Sequence, residues 1–453
     1  MQRYMEYTAS SAKWLGTLPS HWMCKKMGAL FTERKTKVSD RDYAPLSVTK
    51  SGILPQLEHA AKTNDGDNRK LVCIGDFVIN SRSDRKGSCG VSELDGSVSL
   101  INLVLTPRCG WNNRYVHYLL RSQPFSEEYY RNGRGIVADL WTTRYSEMKS
   151  ILLPIPPRTE QDQIVKFLDW KVSEVNRLMA VKKKQVSAYK ELRKAVIDQG
   201  ILHGFSKSEK KDSGVYWLGE IPVAWEVLPL KRICRANASI ADVVKTKDDS
   251  ELVTFLPMEN ITETGEIDCS VKKKIAEVRT GFSSFAKGDV VVAKITPCFE
   301  NGKGACLDDL DTDIGFGTTE FINLRPSDKV LSEYLYMITM TRPFRKLGEE
   351  VMTGSAGQKR IPSSYIKNFV LGIPDIEEQK SILLEIDKKI TLIDNLIEIE
   401  QKRIDYLKEL KSRIIADTVT GKIDVRNIEI PEFEEEETDS TVADSEDEEG
   451  TEE

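Results

Sequence analysis

Nine residues of this chain occur twice. Trp14-Leu15-Gly16-Thr17-Leu18-Pro19-Ser20-His21-Trp22 returns 203 positions later as Trp217-Leu218-Gly219-Glu220-Ile221-Pro222-Val223-Ala224-Trp225, with five residues identical, both tryptophans among them. Ile155-Pro156 followed by Glu160-Gln161 returns at an offset of 218 as Ile373-Pro374 followed by Glu378-Gln379. A duplication of this length constrains the chain to two similar modules held in one relation. A tandem reader of two similar targets is the simplest use of such a frame.

The offset between the copies changes along the chain. It is 203 at the Trp-Leu-Gly motif and 213 where Gly75-Asp76-Phe77-Val78-Ile79 matches Gly288-Asp289-Val290-Val291-Val292. It reaches 219 at Tyr115 and Tyr334, which Pro124-Phe125 and Pro343-Phe344 follow, and settles at 218 from Ile155 onward. Length differences have therefore accumulated between about residue 23 and residue 154 and in the matching region, while both ends keep their spacing.

The segment of constant offset reads as a long helix in each copy. Pro-containing turns precede it, and Glu160 and Glu378 place acids in the first turn, where the helix dipole favours them. Apolar residues follow at Ile164, Leu168, Val172, Val175, Met179, Val186, Tyr189, Leu192 and Val196. The second copy repeats them at Ile382, Ile386, Ile390, Ile393, Ile397, Ile404, Leu407, Leu410 and Ile414. Spacings of three and four sustained over about five heptads describe a coiled-coil seam. One seam position is charged in both copies, Lys182 in the first and Glu400 in the second. Opposite charges there are read either as a register lock for an antiparallel helix pair or as two solvated charges. About 38 residues of helix span about 57 Å, too long to fill a small core, so the helices read as a spacer.

The rest is mixed. Short β-like runs (Leu71-Val72-Cys73, Phe77-Val78-Ile79, Leu252-Val253-Thr254-Phe255, Val290-Val291-Val292) alternate with turns, and a helical patch follows each set at Tyr115–Arg121 and Tyr334–Thr341. The resulting expectation is an α/β (α+β) chain divided at 1–154, 155–198, 199–214, 215–373, 374–426 and 427–453. In that division 199–214 is a polar linker and 427–453 an acidic disordered tail. The paired tryptophans read as packing residues.

A chain of 453 residues with 40% hydrophobic content supports two cores. It has no apolar run of membrane-spanning length and no secretory pattern at its start. Eight scattered cysteines without a C-x-x-C pair, and four histidines, argue against a disulfide framework and against a metal site, and point to a reducing cytoplasm. The net charge of −6 hides an uneven distribution. Residues 428–453 hold 14 acids and no Lys or Arg, which leaves 57 acids against 65 bases, about +8, for the remainder. A basic body permits a polyanionic partner. The tail reads as a solubilising end or as a DNA-mimicking regulator.

No signature of an enzyme is present: no G-x-x-x-x-G-K-[ST], no G-x-G-x-x-G after a strand, no H-E-x-x-H, and no Asn/Asp-Pro-Pro-aromatic tetrapeptide. The chain reads as a binder. Basic, glycine-containing loops stand at matching places in both copies. In the first, Arg82, Arg85 and Lys86 follow a strand, and Arg134 and Arg144 follow the helical patch. In the second, Lys294, Asn301 and Lys303 follow a strand, and Lys359 and Arg360 lie beyond the patch. Lys and Arg meet phosphates, and Arg and Asn hydrogen-bond base edges, so these ten are the candidate DNA-binding residues.

At this point the chain resembles the specificity subunit of type I restriction–modification enzymes. The resemblance rests on Trp217–Trp225, the Gly-Asp-hydrophobic strands, Ile314-Gly315-Phe316-Gly317-Thr318-Thr319-Glu320-Phe321-Ile322, the Ile-Pro…Glu-Gln helix starts, and Thr420-Gly421-Lys422-Ile423-Asp424-Val425-Arg426. It covers residues 10–426, and Thr17, Leu18 and His21 depart from the usual pattern. The resemblance implies two target-recognition domains, each reading half of an asymmetric site in double-stranded DNA, separated by two long antiparallel helices in a pseudo-two-fold repeat. It implies a subunit without catalysis or cofactor of its own. Such a subunit recruits two methylation subunits, which carry S-adenosylmethionine, and through them restriction and translocase subunits. Two rival readings are a protein-binding scaffold that never meets DNA and an enzyme whose catalytic groups have no recognisable motif.

Overall fold

The computed structural model describes residues 2–56, 66–82, 86–108, 110–134, 142–355 and 357–433. It divides into two compact units. One joins residues 1–183 to 402–453, and the other comprises 184–401. The cuts fall inside the two long helices, Arg158–His203 (46 residues) and Ile376–Val419 (44 residues), so each unit contains part of both.

Each unit is built on the same four-stranded antiparallel sheet. In the first the order is Cys89–Val91, Phe77–Asn80, Asn102–Pro107, Phe31–Glu33; in the second it is Gly304–Cys306, Val290–Ala293, Phe321–Pro326, Cys234–Ala236. The central strands Phe77–Asn80 and Val290–Ala293 are buried along their whole length, which explains their continuous apolar runs. Two small ribbons repeat with it. Tyr7–Ala9 pairs with Thr17–Pro19 as Lys210–Asp212 pairs with Glu220–Pro222, and Met23–Lys26 pairs with Leu152–Ile155 as Glu226–Pro229 pairs with Val370–Ile373. The units differ where the offset drifts. A three-stranded sheet (Gly96–Val98, Arg69–Val72, Lys37–Val38) stands in the first. A four-stranded sheet (Lys272–Lys274, Leu252–Leu256, Ile314–Gly317, Ser283–Ala286) stands in the second and contains a parallel pair. Its Lys272-Lys273-Lys274 edge strand blunts edge-to-edge association.

Each core is closed by the start of one long helix and the end of the other. Ile164 and Leu168 pack with Ile414, Val419 and Val425 in the first unit, and Ile382 and Ile386 with Ile197 and Ile201 in the second. Within each unit the helices therefore run antiparallel. Lys411 donates to Asn176 Oδ1 at 2.9 Å in the first, and Arg193 pairs with Asp394 at 3.3 Å in the second. The expected seam is buried at Ile164, Leu168, Val175, Ile382, Ile386, Ile393, Ile404 and Ile414. Leu192 departs from it: its side chain is exposed, because Arg193 and Ile197 take the inward positions there. Glu400 is buried and Lys182 half-buried.

The stretch read as a linker from 199 to 214 is largely structured. The first long helix continues to His203, with Gly200 inside it against Ile386, and Lys210–Asp212 is a strand of the second unit. The helix stops instead at Gly204, whose φ of +67° is a left-handed conformation. A Cβ there would stand 3.2 Å from Trp225 Cζ2. Gly421 (φ +74°) ends the second helix in the same way, against Pro19 and Trp22. The Trp-Leu-Gly motif thus forms the seat for a helix end, and Trp22 and Trp225 are both buried in it.

Candidate nucleic-acid interface

Three chain segments meet beyond the end of the central strand in each unit. In the first, isolated bridges join Arg82 to Thr142 and Thr142 to Arg134. In the second they join Ile295 to Arg360 and Arg360 to Thr353. The hydrogen bonds coincide position for position. Thr143 N–H donates to the Ser81 carbonyl at 3.0 Å, and Ile361 N–H to that of Lys294 at 2.9 Å. Arg134 and Thr142 exchange bonds of 3.2 and 3.0 Å, and Thr353 and Arg360 bonds of 3.0 and 2.8 Å. The backbone junction is common to both units, while its side chains differ: Arg82, Arg134 and Thr142 against Ile295, Thr353 and Arg360.

The junction assembles residues far apart in sequence. In the first unit Arg82 and Arg134 flank Thr142 and are exposed. Arg144 is exposed and caps a short helix, its backbone N–H donating to Glu147 Oε2 at 3.1 Å. Lys86 is exposed, with Nζ 5.5 Å from the Tyr130 ring centroid. Arg85 lies outside the described residues. In the second unit Lys294 is half-buried, with its N–H bonded to the Glu320 carbonyl. Lys359 is exposed, and its carbonyl accepts from Thr296 N–H and Oγ1 at 3.0 and 2.9 Å. Asn301 is exposed and Lys303 half-buried, on the turn that leads into Gly304–Cys306.

Arg360 is held most firmly. Glu320 accepts from its Nε at 3.0 Å and from Nη2 at 2.8 Å, and the Gln358 carbonyl from Nη1 at 3.2 Å. The guanidinium holds the Glu320 carboxyl below the usual carboxylate range, with Lys294 acting in the same direction. Glu320 was not among the residues expected at the site. Its signal was its place in the Gly317-Thr318-Thr319-Glu320 stretch, immediately before a core strand.

At the opposite end of each central strand lies a second shared device with exchanged parts. Asp76 and Asp289 are both buried, and each accepts a backbone N–H at the turn before its strand, from Cys73 and Ala286 at 2.9 Å. Each buried carboxylate needs a cation. Arg34 provides it in the first unit at 2.7 Å, and Arg325, from a different strand position, in the second at 2.7 Å. This clamp anchors the strand whose end carries the junction, and explains the Gly-Asp-hydrophobic motif.

The second long helix exposes an apolar stripe at Leu384, Leu392, Leu396, Ile399 and Tyr406. Among the described residues no group of His, Cys, Asp or Glu is placed to hold a metal ion, and no helix is long and apolar enough to cross a membrane.

Residues 222–409 match the family model described as the type I restriction modification DNA specificity domain. Over that stretch the chain is similar to type I specificity subunits. It is similar to the specificity subunit of the type I restriction enzyme EcoAI of Escherichia coli, 37% identical over 213 residues, or 46% of this chain and 35% of that protein. It is also similar to that of EcoEI from Escherichia coli, 35% identical over 200 residues, or 44% of this chain and 33% of that one. The chain thus matches about a third of the length of these two relatives. A solved chain from work on complex assembly and conformational transition of the type I R-M system superposes with a TM-score of 0.59 at 14% identity, covering 90% of this chain and 99% of that one. That likeness shows the fold alone, mixed helix and strand with two long helices.

Proposed function

We propose that this chain is the DNA-reading subunit of a type I restriction–modification complex, each unit reading one half of a bipartite, asymmetric site. The observation that carries the reading is the repeated junction: one backbone arrangement in both units, presenting different basic and polar side chains. A shared frame with unlike contacts is what an asymmetric sequence requires, since phosphate contacts position a protein and base contacts specify. The basic loops Arg82–Lys86, Arg134 and Arg144 serve the first half-site, and Lys294, Asn301, Lys303, Lys359 and Arg360 the second. The long helices, about 69 and 66 Å at 1.5 Å per residue, set the spacing between half-sites. Lys182 and Glu400 help to set their register.

The chain contributes no chemistry of its own in this proposal. Two methylation subunits dock on the helices, where the apolar stripe from Leu384 to Tyr406 offers an anchor surface. They carry S-adenosylmethionine and recruit the restriction and translocase subunits, all in the cytoplasm. The test is sequencing of methylated adenines in the host with the gene intact and deleted. Loss of one bipartite motif on deletion is the expected result, and an unchanged methylation pattern overturns the proposal. Purified full chain should bind duplex DNA with an affinity that falls steeply with salt, whereas a scaffold that never meets DNA shows no such binding.

A further inference from the structure

On the reading that the junctions meet DNA, we infer that Glu320 is a specificity-determining residue: it clamps Arg360 so that the two remaining guanidinium donors meet the paired acceptors of one guanine in the half-site read by the second unit.

A guanidinium has five N–H donors in a rigid fork. At Arg360 two of them face Glu320, one through Nε and one through Nη2, and a third, on Nη1, faces the Gln358 carbonyl. Two donors remain, one on each terminal nitrogen. That pair of donors is as many as the O6 and N7 acceptors of guanine take in the major groove. The side chain is neither sealed in nor free, with 42% of the Arg360 side chain exposed against 23% for Glu320.

Three features separate this pair from ordinary surface chemistry. The junction does not need it: the first unit makes the same backbone bonds with Thr142 in place of Arg360 and Ile101 in place of Glu320. Ion pairs this exposed add little to stability. The carboxylate also selects what the fork meets, because a negative charge beside Arg360 repels a phosphate but tolerates the neutral edge of a base. A fork already clamped on one side loses little freedom when it binds on the other, so its preference for one base is sharper than that of an unrestrained arginine. Lys359, next in sequence and exposed, is the better phosphate contact.

The experiment uses the full chain together with the methylation subunits of its host, in a strain lacking the chromosomal gene. The methylated motif is determined for wild type, Glu320→Gln, Arg360→Lys and Arg360→Ala. In the variants, one G·C pair in the half-site of the second unit should lose its requirement, with discrimination falling roughly ten- to a hundredfold. The other half-site should stay unchanged, as should the salt dependence of duplex binding. An unchanged motif with a salt slope reduced by about one places Arg360 on a phosphate and overturns the inference. So does an unchanged motif at unchanged affinity, which leaves the pair a surface ion pair only. If Arg360→Ala fails to fold by thermal melting, the near-isosteric Glu320→Gln still gives the decisive reading. A wild type that produces no methylated motif fails the DNA-reading proposal itself, and that result precedes any variant.

Discussion

Glu160 and Glu378 occupy equivalent positions at the starts of the two long helices, yet they should respond very differently to replacement. Glu160 is buried and accepts three side-chain hydrogen bonds: from Tyr4 Oη at 2.5 Å, from Trp22 Nε1 at 3.1 Å, and from His21, whose Nε2 lies 2.8 Å away. Glu378 is half-buried, and the positions matching Tyr4 and His21 are Lys207 and Ala224. The indole nitrogen of Trp225, the mate of Trp22, is buried without a partner. Replacing Glu160 by Ala leaves two buried donors, Tyr4 Oη and Trp22 Nε1, with no acceptor, at about 1–3 kcal/mol each. His21 is exposed enough to turn to water and adds little. Removing the carboxylate also relieves its own burial, so the expected net loss is about 3 kcal/mol. In a unit of this size that corresponds to a fall in Tm of roughly 6–12 °C. Glu378→Ala loses only a favourable charge in the first helical turn, about 0.3–1 kcal/mol. Thermal melts of the two variants should be combined with hydrogen-exchange mass spectrometry, so that each loss is assigned to the first or the second unit. Equal destabilisation by both replacements, or a loss below 1 kcal/mol for Glu160→Ala, would refute the reasoning.

Two further outcomes follow from particular environments. His117 is held between donors, with Val91 N–H 3.3 Å from Nδ1 and Arg121 Nη1 2.7 Å from Nε2; burial first, then Arg121 and Arg114, push its pKa down to about 3. Below about pH 6.5 the unfolded chain gains a proton that the folded chain refuses until about pH 3, so the first unit should lose stability as pH falls through that window. The slope is at most about 1.4 kcal/mol per pH unit, and an equal slope in His117→Gln, measured by urea unfolding from pH 7 to pH 5, rules this origin out. On the helix stripe, Leu392→Glu and Ile399→Glu should change stability by no more than about 0.5 kcal/mol while weakening capture of the methylation subunits at least tenfold. Undiminished co-purification of those subunits would exclude docking there.

Much of the frame was legible in the chain itself. The offset of 203 that links the Trp-Leu-Gly copies is the offset between the ribbons Tyr7–Ala9/Thr17–Pro19 and Lys210–Asp212/Glu220–Pro222, register included. The heptads placed both long helices, and the glycine-rich, basic loops fell on segments that do converge in each unit. The linker from 199 to 214 was misread because Gly200 and Gly204 look alike in sequence. One sits in a helix against Ile386 and the other takes the left-handed turn that stops it. His21, a departure from the motif as sequence, proves to be a partner of Glu160.

What the sequence determined by itself was periodic or counted: the duplication, the strand and helix types, and the places of the two long helices. These follow from local spacing, because hydrophobic period and turn chemistry act over a few residues. Partnership was decided only in the tertiary structure. The sequence shows two Gly-Asp motifs, but not that Arg34 neutralises one and Arg325 the other. It shows Arg360 among basic residues, but not that Glu320, 40 positions earlier, grips it. Nor does it show that each core is closed by the end of the other copy's helix. A buried carboxylate or a half-exposed guanidinium accepts any partner that packing brings within about 3 Å, and packing joins residues without regard to their separation along the chain.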